Sequence, residues 1–377
     1  MTPTEIVPHL ADRPAAPPYR VLSLDGGGMR GVYTAAFLDR LVRYYASIRK
    51  VESLDLGRGF DLIVGTSTGA IVGCAAAVGR PMCEVVDLYR KHGRQIFPHH
   101  IVDERAAIYR AFRGDRFVRS GDAAMRAALR NVLGETTMKD VFETRGIALS
   151  IPAVSMSQHR AWVFKKTASS GVRDDNYTLA DVCLATTAAP VYRSLAALND
   201  PNAEHGVPQI FADGGLWANN PVLVALIDAL YSAPKGREIQ IFSLGTCPRP
   251  EGEHIPASEV HRSMLGWYFG ARVAPLSISA QEFAFDNMAR MLANFFTELG
   301  RPVRRLRFPS RPVPAEMMKF LDLDDTRPEA IERLINQAAH DADTTKSACD
   351  DPKSVDGALI RELFLSIPAM PKSGTSA

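Results

Sequence analysis

Gly65-Thr66-Ser67-Thr68-Gly69 is a G-x-S-x-G that follows the apolar run FDLIVG and leads into AIVGCAAAVG. A serine in that setting can act as a nucleophile held on a sharp strand-to-helix turn. The glycines permit the turn, and the hydroxyl of Ser67 is lifted to the carboxyl edge of a sheet. The amides that open the next helix favour negative charge developing there, as it does on an ester or amide carbonyl under attack. A tight turn with an incidental serine has the same five letters, so the reading depends on what else the chain supplies.

A second strand-to-helix switch, Asp25-Gly26-Gly27-Gly28-Met29-Arg30-Gly31, follows YRVLSL. Gly26, Gly28 and Gly31 satisfy G-x-G-x-x-G, and Glu52 stands about twenty residues on, as in a dinucleotide-binding fingerprint. The other reading is an oxyanion hole. Consecutive glycine amides can aim at one point, and Arg30 adds positive charge beside them. A nucleotide site explains this loop and leaves Ser67 idle; an oxyanion hole explains both.

The third candidate is Asp213, at the end of PQIFAD and before Gly214-Gly215. Alone it reads as a turn aspartate bonded to its own backbone; beside Ser67 it becomes a candidate partner. Asn220 and Pro221 predict the start of a helix just after it. The usual hydrolase order ends in a late histidine, but His254, His261 and His340 stand in no Gly-flanked loop after a strand. His159 and His99–His100 fit a triad no better. No spacing suggests a metal site, and no cofactor is implied.

These residues need a sheet to carry them. Short apolar runs at 19–25, 60–65, 147–156, 161–166, 208–213, 238–245 and 303–308 read as strands. Helical patterns occupy the region after Gly31, 82–93, 122–133, 178–188, 221–231, 258–270, 280–299, 327–340 and 356–367. Strand alternating with helix predicts an α/β fold, with a mostly parallel sheet covered by helices on both faces and a helical C-terminal part. The apolar stripe Phe285, Met288, Leu292, Phe295, Leu299 predicts a core-facing helix. Arg305 and Arg307, alternating with Leu306 and Phe308 beside Arg301, Arg304 and Arg311, read as the solvated face of a strand. Trp267, Tyr268 and Phe269 read as core aromatics before an interfacial wedge.

The 377 residues are 46% apolar and 23% charged, ordinary for a globular chain. Lys plus Arg number 44 against 42 acids, a formal net charge of +2, which does not support a binder of nucleic-acid polymers. Five widely spaced cysteines without a CxxC suit a reduced compartment. The start has neither the basic nor the apolar region of a secretory signal. It carries five prolines in eighteen residues, which predicts a flexible leader over 1–18.

Together DGGGMRG, GTSTG and DGG, in this order, resemble the patatin-like phospholipase family. ATTAAPVY (185–192) is similar to that family's segment after the central strands, and LDDTRPEAIERLINQA (323–338) to its C-terminal helix. The resemblance covers roughly 19–340, and leaves 341–377 as a C-terminal helix and frayed tail. It implies a Rossmann-like sheet and a Ser–Asp dyad: Ser67 as nucleophile, Asp213 as base, and Gly26, Gly27, Gly28 and Arg30 as the oxyanion-hole segment. Arg193 departs from the pattern, since relatives usually carry an aromatic residue there.

The activity so implied is fatty-acid release from membrane glycerophospholipids, by a cytoplasmic protein working peripherally at the inner face of the membrane. The partner would be a phospholipid surface, and the apolar helix faces would allow a homodimer. Compact bacterial relatives include antiphage effectors switched on by a cyclic oligonucleotide, and the chain is compatible with that group. Its activator would then be a cyclic di- or trinucleotide. A constitutive lipase without an activator, a Ser–Asp–His hydrolase, a lipid-binding protein and a dinucleotide-dependent oxidoreductase remain the alternatives at this point.

Overall fold

A computed structural model describes residues 16–371 except 97–103, 191, 203–205, 248–254, 262, 264–266, 268–272 and 310–312; at 104–118, 259 and 274 it describes the backbone alone. In chain order the elements are β1 (Tyr19–Leu24), α1 (Gly31–Arg49), β2 (Leu62–Gly65), α2 (Thr68–Ala77), α3 (Met82–Ile96), α4 (Glu104–Leu133) and α5 (Met138–Arg145). There follow β3 (Ala148–Ser155), β4 (Arg160–Lys166), α6 (Leu179–Thr186), β5 (Ala196–Leu198), β6 (Gln209–Asp213), α7 (Gly215–Ala218), α8 (Val222–Ser232) and β7 (Ile239–Leu244). The chain closes with α9 (Val273–Glu298), β8 (Val303–Phe308), α10 (Pro328–Asp350) and α11 (Val355–Ser366).

The strands form one eight-stranded sheet in the order β5-β6-β3-β2-β1-β7-β8, with β4 on the other edge of β3. From β3 through β2, β1 and β7 to β8 every pairing is parallel; β4, β5 and β6 join antiparallel. Period-two alternation divides the parallel strands between two cores. Leu22, Leu24, Ile63, Phe242, Leu244, Leu306 and Phe308 face the side covered by α1, α2 and α10. Val21, Leu62, Val64, Ile239 and Ile241 face α8 and α9 through Val222, Ala225, Leu226, Ala289 and Ala293. Helices therefore cover both faces, as the alternation of elements predicts.

Some details differ from the sequence reading. β5 is three residues of Ala-Ala-Leu, too short for any periodicity, and exists because Ala196–Leu198 pairs with β6. Asn220 and Pro221 stand one step further out than expected: α8 begins at Val222, whose N–H is capped by Asn220 Oδ1 at 3.1 Å. The stripe on α9 is not core. α9 packs through its small residues Ala289 and Ala293, which let it approach α8 and the sheet closely. That turns Met288, Leu292, Phe295 and Leu299 outward, at 41%, 37%, 53% and 64% exposure, with Phe285 half-buried. Nor is the arginine alternation a solvated face. Arg305 bonds Asp286 of α9 and Arg307 bonds Asp25, while Arg304 pairs with Glu238. Trp267 is half-buried; Tyr268, Phe269 and Arg311 lie outside the described residues.

The antiparallel side of the sheet is held by aromatic packing. Phe164 of β4 is fully buried, with Phe211 of β6 at 5.0 Å and Tyr177 at 5.2 Å between ring centroids. Trp162 closes on Phe211 at 5.6 Å. This cluster seats β6, whose last residue is Asp213. Truncating its centre removes a large buried ring, so Phe164→Ala should lower unfolding free energy by about 3–5 kcal/mol, read from urea denaturation.

Candidate active site

β3 shares one of its edges between two strands. β2 pairs in parallel with Ala148–Ser150, and β6 pairs antiparallel with Ala153–Ser155, while β4 runs along the opposite edge. The carboxyl ends of β2 and β6 thus approach one another head-on, separated by Ile151 and Pro152. Ser67 leaves one end and Asp213 the other. Pro152 suits the gap because it has no N–H to leave unpaired there. Its carbonyl accepts from Thr186 Oγ1 at 2.6 Å.

Ser67 has φ +52 and ψ −126, a conformation that costs a side-chain-bearing residue about 1–3 kcal/mol. The neighbours make it the outcome of packing. A Cβ on Gly65 would lie 2.7 Å from Ala70 N, and one on Gly69 would lie 2.5 Å from the carbonyl oxygens of Leu24 and Asp25. Thr66 donates from N–H to Leu24 O and from Oγ1 to Ala218 O, at 3.1 and 2.6 Å. The Ser67 N–H donates to Thr186 Oγ1 at 2.9 Å.

Ser67 Oγ donates to Asp213 Oδ2 at 2.8 Å, and Asp213 Oδ1 accepts the Gly215 N–H at 2.6 Å. Both residues are buried, at 7% and 6% exposure. Burial pushes the Asp213 carboxyl up to about 6, against the pull of the Gly215 amide, the Ser67 hydroxyl and the Arg193 guanidinium. Arg193 is itself buried and donates to Asp122 Oδ1 of α4 at 3.3 Å. The position where relatives usually carry an aromatic ring here places a cation within electrostatic reach of Asp213.

The glycine loop lies against this pair: a Cβ on Gly26 would come 3.2 Å from Ser67 Cβ. Its three amides are not equivalent. Gly26 N–H donates to Asn219 O at 2.9 Å and Gly27 N–H to Thr68 Oγ1 at 3.2 Å. Gly28, at φ +57, has an N–H that donates to no group among the described residues, and the same holds for the Thr68 N–H that opens α2. Arg30 Nε donates to Gly27 O at 3.4 Å, bracing the loop. A Cβ on Gly26, Gly28 or Gly31 would meet Asn219 Oδ1, Leu323 O or Tyr89 Oη at 2.2–2.3 Å. In a dinucleotide site such glycines admit the pyrophosphate; here protein atoms fill the space, which removes the ground for that reading.

Asn219, Thr246, Leu323 and Thr186 hold these loops and carry no sequence motif of their own. Asn219 Nδ2 and Thr246 Oγ1 both donate to Gly26 O, at 3.2 and 3.0 Å. His159, His261 and His340 are exposed, and none is bonded to Ser67 or Asp213. His99, His100 and His254 lie outside the described residues. Among the described residues no cluster of His, Cys, Asp and Glu could hold a metal ion.

A family model described as patatin-like phospholipase matches residues 22–226, which include the glycine loop, the Ser67 elbow and Asp213. The chain belongs to the patatin-like phospholipase family. It is therefore a lipid acyl hydrolase by family. A Pseudomonas aeruginosa "cGAMP-activated phospholipase" is 32% identical over 277 residues, 73% of this chain and 75% of that protein. A Vibrio cholerae protein of the same name is 28% identical over 330 residues, 84% and 88% of the two chains. An Escherichia coli "cUMP-AMP-activated phospholipase" is 27% identical over 241 residues, 62% and 66% of the two chains.

The raised Asp213 carboxyl has a consequence for stability. An unfolded aspartate ionises near 3.9, whereas this one titrates at about 6 when folded. The folded state therefore binds a proton the unfolded state has lost, and native stability falls as pH rises between about 4 and 6. Asp213→Asn carries no such penalty. It should melt above wild type at pH 8, and the difference should shrink toward zero near pH 4, read by thermal denaturation across pH.

Proposed function

We propose that this chain releases fatty acids from membrane glycerophospholipids by a Ser67–Asp213 dyad, and that a cyclic di- or trinucleotide switches it on. The observation that carries the chemistry is the 2.8 Å hydrogen bond from Ser67 Oγ to a buried carboxylate, on a nucleophile elbow whose Thr68 amide, like that of Gly28, donates to no group among the described residues. Asp213 takes the Oγ proton while Ser67 attacks the ester carbonyl. The tetrahedral oxyanion is held by the Gly28 amide of the glycine loop and the Thr68 amide at the start of α2. Gly27 and Arg30 support that loop, and the Gly26 and Gly27 amides are already bonded to Asn219 O and Thr68 Oγ1. Collapse expels the alcohol, a lysolipid, which takes the proton from Asp213. Asp213 then draws a proton from water, water attacks the acyl-serine, and Ser67 leaves reprotonated with a free fatty acid as product.

Support for the switch comes from the relatives, four of which are named as cGAMP- or cUMP-AMP-activated phospholipases. Activation by such a second messenger suits an antiphage effector that attacks the cell's own membrane, working peripherally at its inner face. No helix among the described residues is long and apolar enough to cross a membrane. Leu216, three residues beyond Asp213, is 48% exposed, and Phe283, beside the Glu282 that bonds Asn219, is 68% exposed. These exposed apolar side chains, next in the chain to residues that hold the site, are our candidates for the contact with a bilayer.

Fatty-acid release from mixed phospholipid vesicles tests both halves. Wild type should be nearly inactive alone and active with one nucleotide from a panel of cyclic di- and trinucleotides. Ser67→Ala and Asp213→Asn should each lose about a thousandfold or more with that nucleotide present. Ser67-dependent release without any nucleotide would overturn the switch and leave a constitutive lipase; full activity of folded Asp213→Asn would overturn the dyad.

A base that must be ionised also fixes the pH response. With Asp213 titrating at about 6, kcat/KM should rise as pH passes through about 6 and level off above it. A rate that declines from pH 5 to 8 would contradict Asp213 as the base.

A further inference from the structure

The backbones of Ser67 and of Gly214, the residue after Asp213, share a partner that takes no part in the proposed chemistry: Thr186. The Thr186 hydroxyl has one proton, and its contact with Pro152 O at 2.6 Å must use it, because that carbonyl can only accept. Its lone pair therefore receives the Ser67 N–H at 2.9 Å. The same short segment also holds the strand end opposite. Gly214 N–H donates to Thr186 O at 3.2 Å, and Asp213 N–H donates to Ala188 O at 3.0 Å. Thr186 is fully buried. It sits at the end of α6, against the gap in the edge of β3 where the two strands stop.

We propose that Thr186 is a positioning residue for the dyad: one hydroxyl, clamped between Ser67 N–H and Pro152 O, sets the nucleophile loop at hydrogen-bonding distance from Asp213. The inference rests on the Ser67–Asp213 reading above. On this edge of β3 the β2 pairing ends at Ser150 and the β6 pairing at Ala153, so no strand serves Ile151 and Pro152. Pro152 supplies no N–H, and its neighbours' ladder bonds are spent on β2, β6 and β4. Without the hydroxyl, Ser67 N–H and Pro152 O would both be buried without a partner, and the elbow would relax toward an ordinary turn. Misplacement by about 1 Å is enough to cost on the order of a hundredfold in rate.

Thr186→Val keeps the shape and removes the hydroxyl; Thr186→Ser keeps the hydroxyl and removes the methyl. Each should be assayed in the full chain, with its activating nucleotide, for kcat and KM on vesicles. Each should also be assayed for the rate at which a fluorophosphonate labels Ser67. The expected result is a kcat and a labelling rate both lower by about ten- to a hundredfold in Thr186→Val, with KM within about twofold, and near wild-type values in Thr186→Ser. A purely structural role would lower the melting temperature and leave both rates of the folded fraction unchanged. If Thr186→Val does not fold, Thr186→Ala against Thr186→Ser asks the same question, since those two differ by the hydroxyl alone. Equal rates for the hydroxyl-bearing and hydroxyl-free variants would overturn the inference. A wild type that takes no phosphonate at Ser67 and releases no fatty acid would overturn the dyad reading, and this inference with it.

Discussion

The site depends on one interruption in a sheet. A strand edge ordinarily offers a continuous row of N–H and C=O groups, and every buried one needs a partner. On the edge of β3 the row is served by β2 at one end and by β6 at the other, so the middle must be satisfied by something other than a strand. Pro152 halves the requirement by lacking a donor, and Thr186 Oγ1 meets the remaining carbonyl. The two strand ends can then turn away from β3 in front of each other. Antiparallel β6 is what makes this arrangement possible. A parallel strand in its place would bring its amino end to Ser67 and carry Asp213 to the far side of the sheet.

Burial sets the chemistry of the pair. A carboxylate that is desolvated yet hydrogen-bonded by Gly215 and Ser67 settles at about 6, high enough to accept a proton and low enough to be ionised at neutral pH. Arg193 opposes the desolvation from one side. Burial lowers the pKa of its own guanidinium, and Asp122 offsets that through a 3.3 Å contact, so the charge beside Asp213 is kept. The elbow follows the same logic: the strained backbone of Ser67 survives because Gly65 and Gly69 leave room and because Thr66 and Thr186 hold it.

The sequence shows these features unevenly, and the reason is physical. Strands buried on both faces appear as unbroken apolar runs, so β1, β2, β3, β6 and β7 are legible. The glycines at 26, 28, 65 and 69 are legible because a side chain there would collide with backbone or side-chain oxygen or nitrogen. β5 is invisible because three small residues become a strand only through β6. α9 misleads because its most deeply buried residues are Ala289 and Ala293, while Met288, Leu292, Phe295 and Leu299 continue a stripe that looks like core and face outward. Arg305 and Arg307 mislead likewise, since their partners Asp286 and Asp25 come from α9 and from the glycine loop after β1. Thr186, Asn219 and Thr246 work through single hydrogen bonds formed only after the sheet is assembled, so nothing local marks them.

The two sides of the site are braced from different parts of the chain. The nucleophile and its acid are held by β3, α6 and β6, all within the 22–226 that the family model matches. The glycine loop rests on later residues: Thr246 on Gly26 O, Leu323 O on the Met29 N–H, and Arg307 on Asp25. α9 adds to this, with Gln281 accepting the Asn219 N–H and Glu282 accepting from its side chain. The glycine loop is thus braced by Thr68 and Asn219 within that region and, beyond it, by residues that follow β7, by β8 and by the segment through Leu323. The conformation of Gly28 depends on that second set, because Leu323 O stands 2.2 Å from where its Cβ would be.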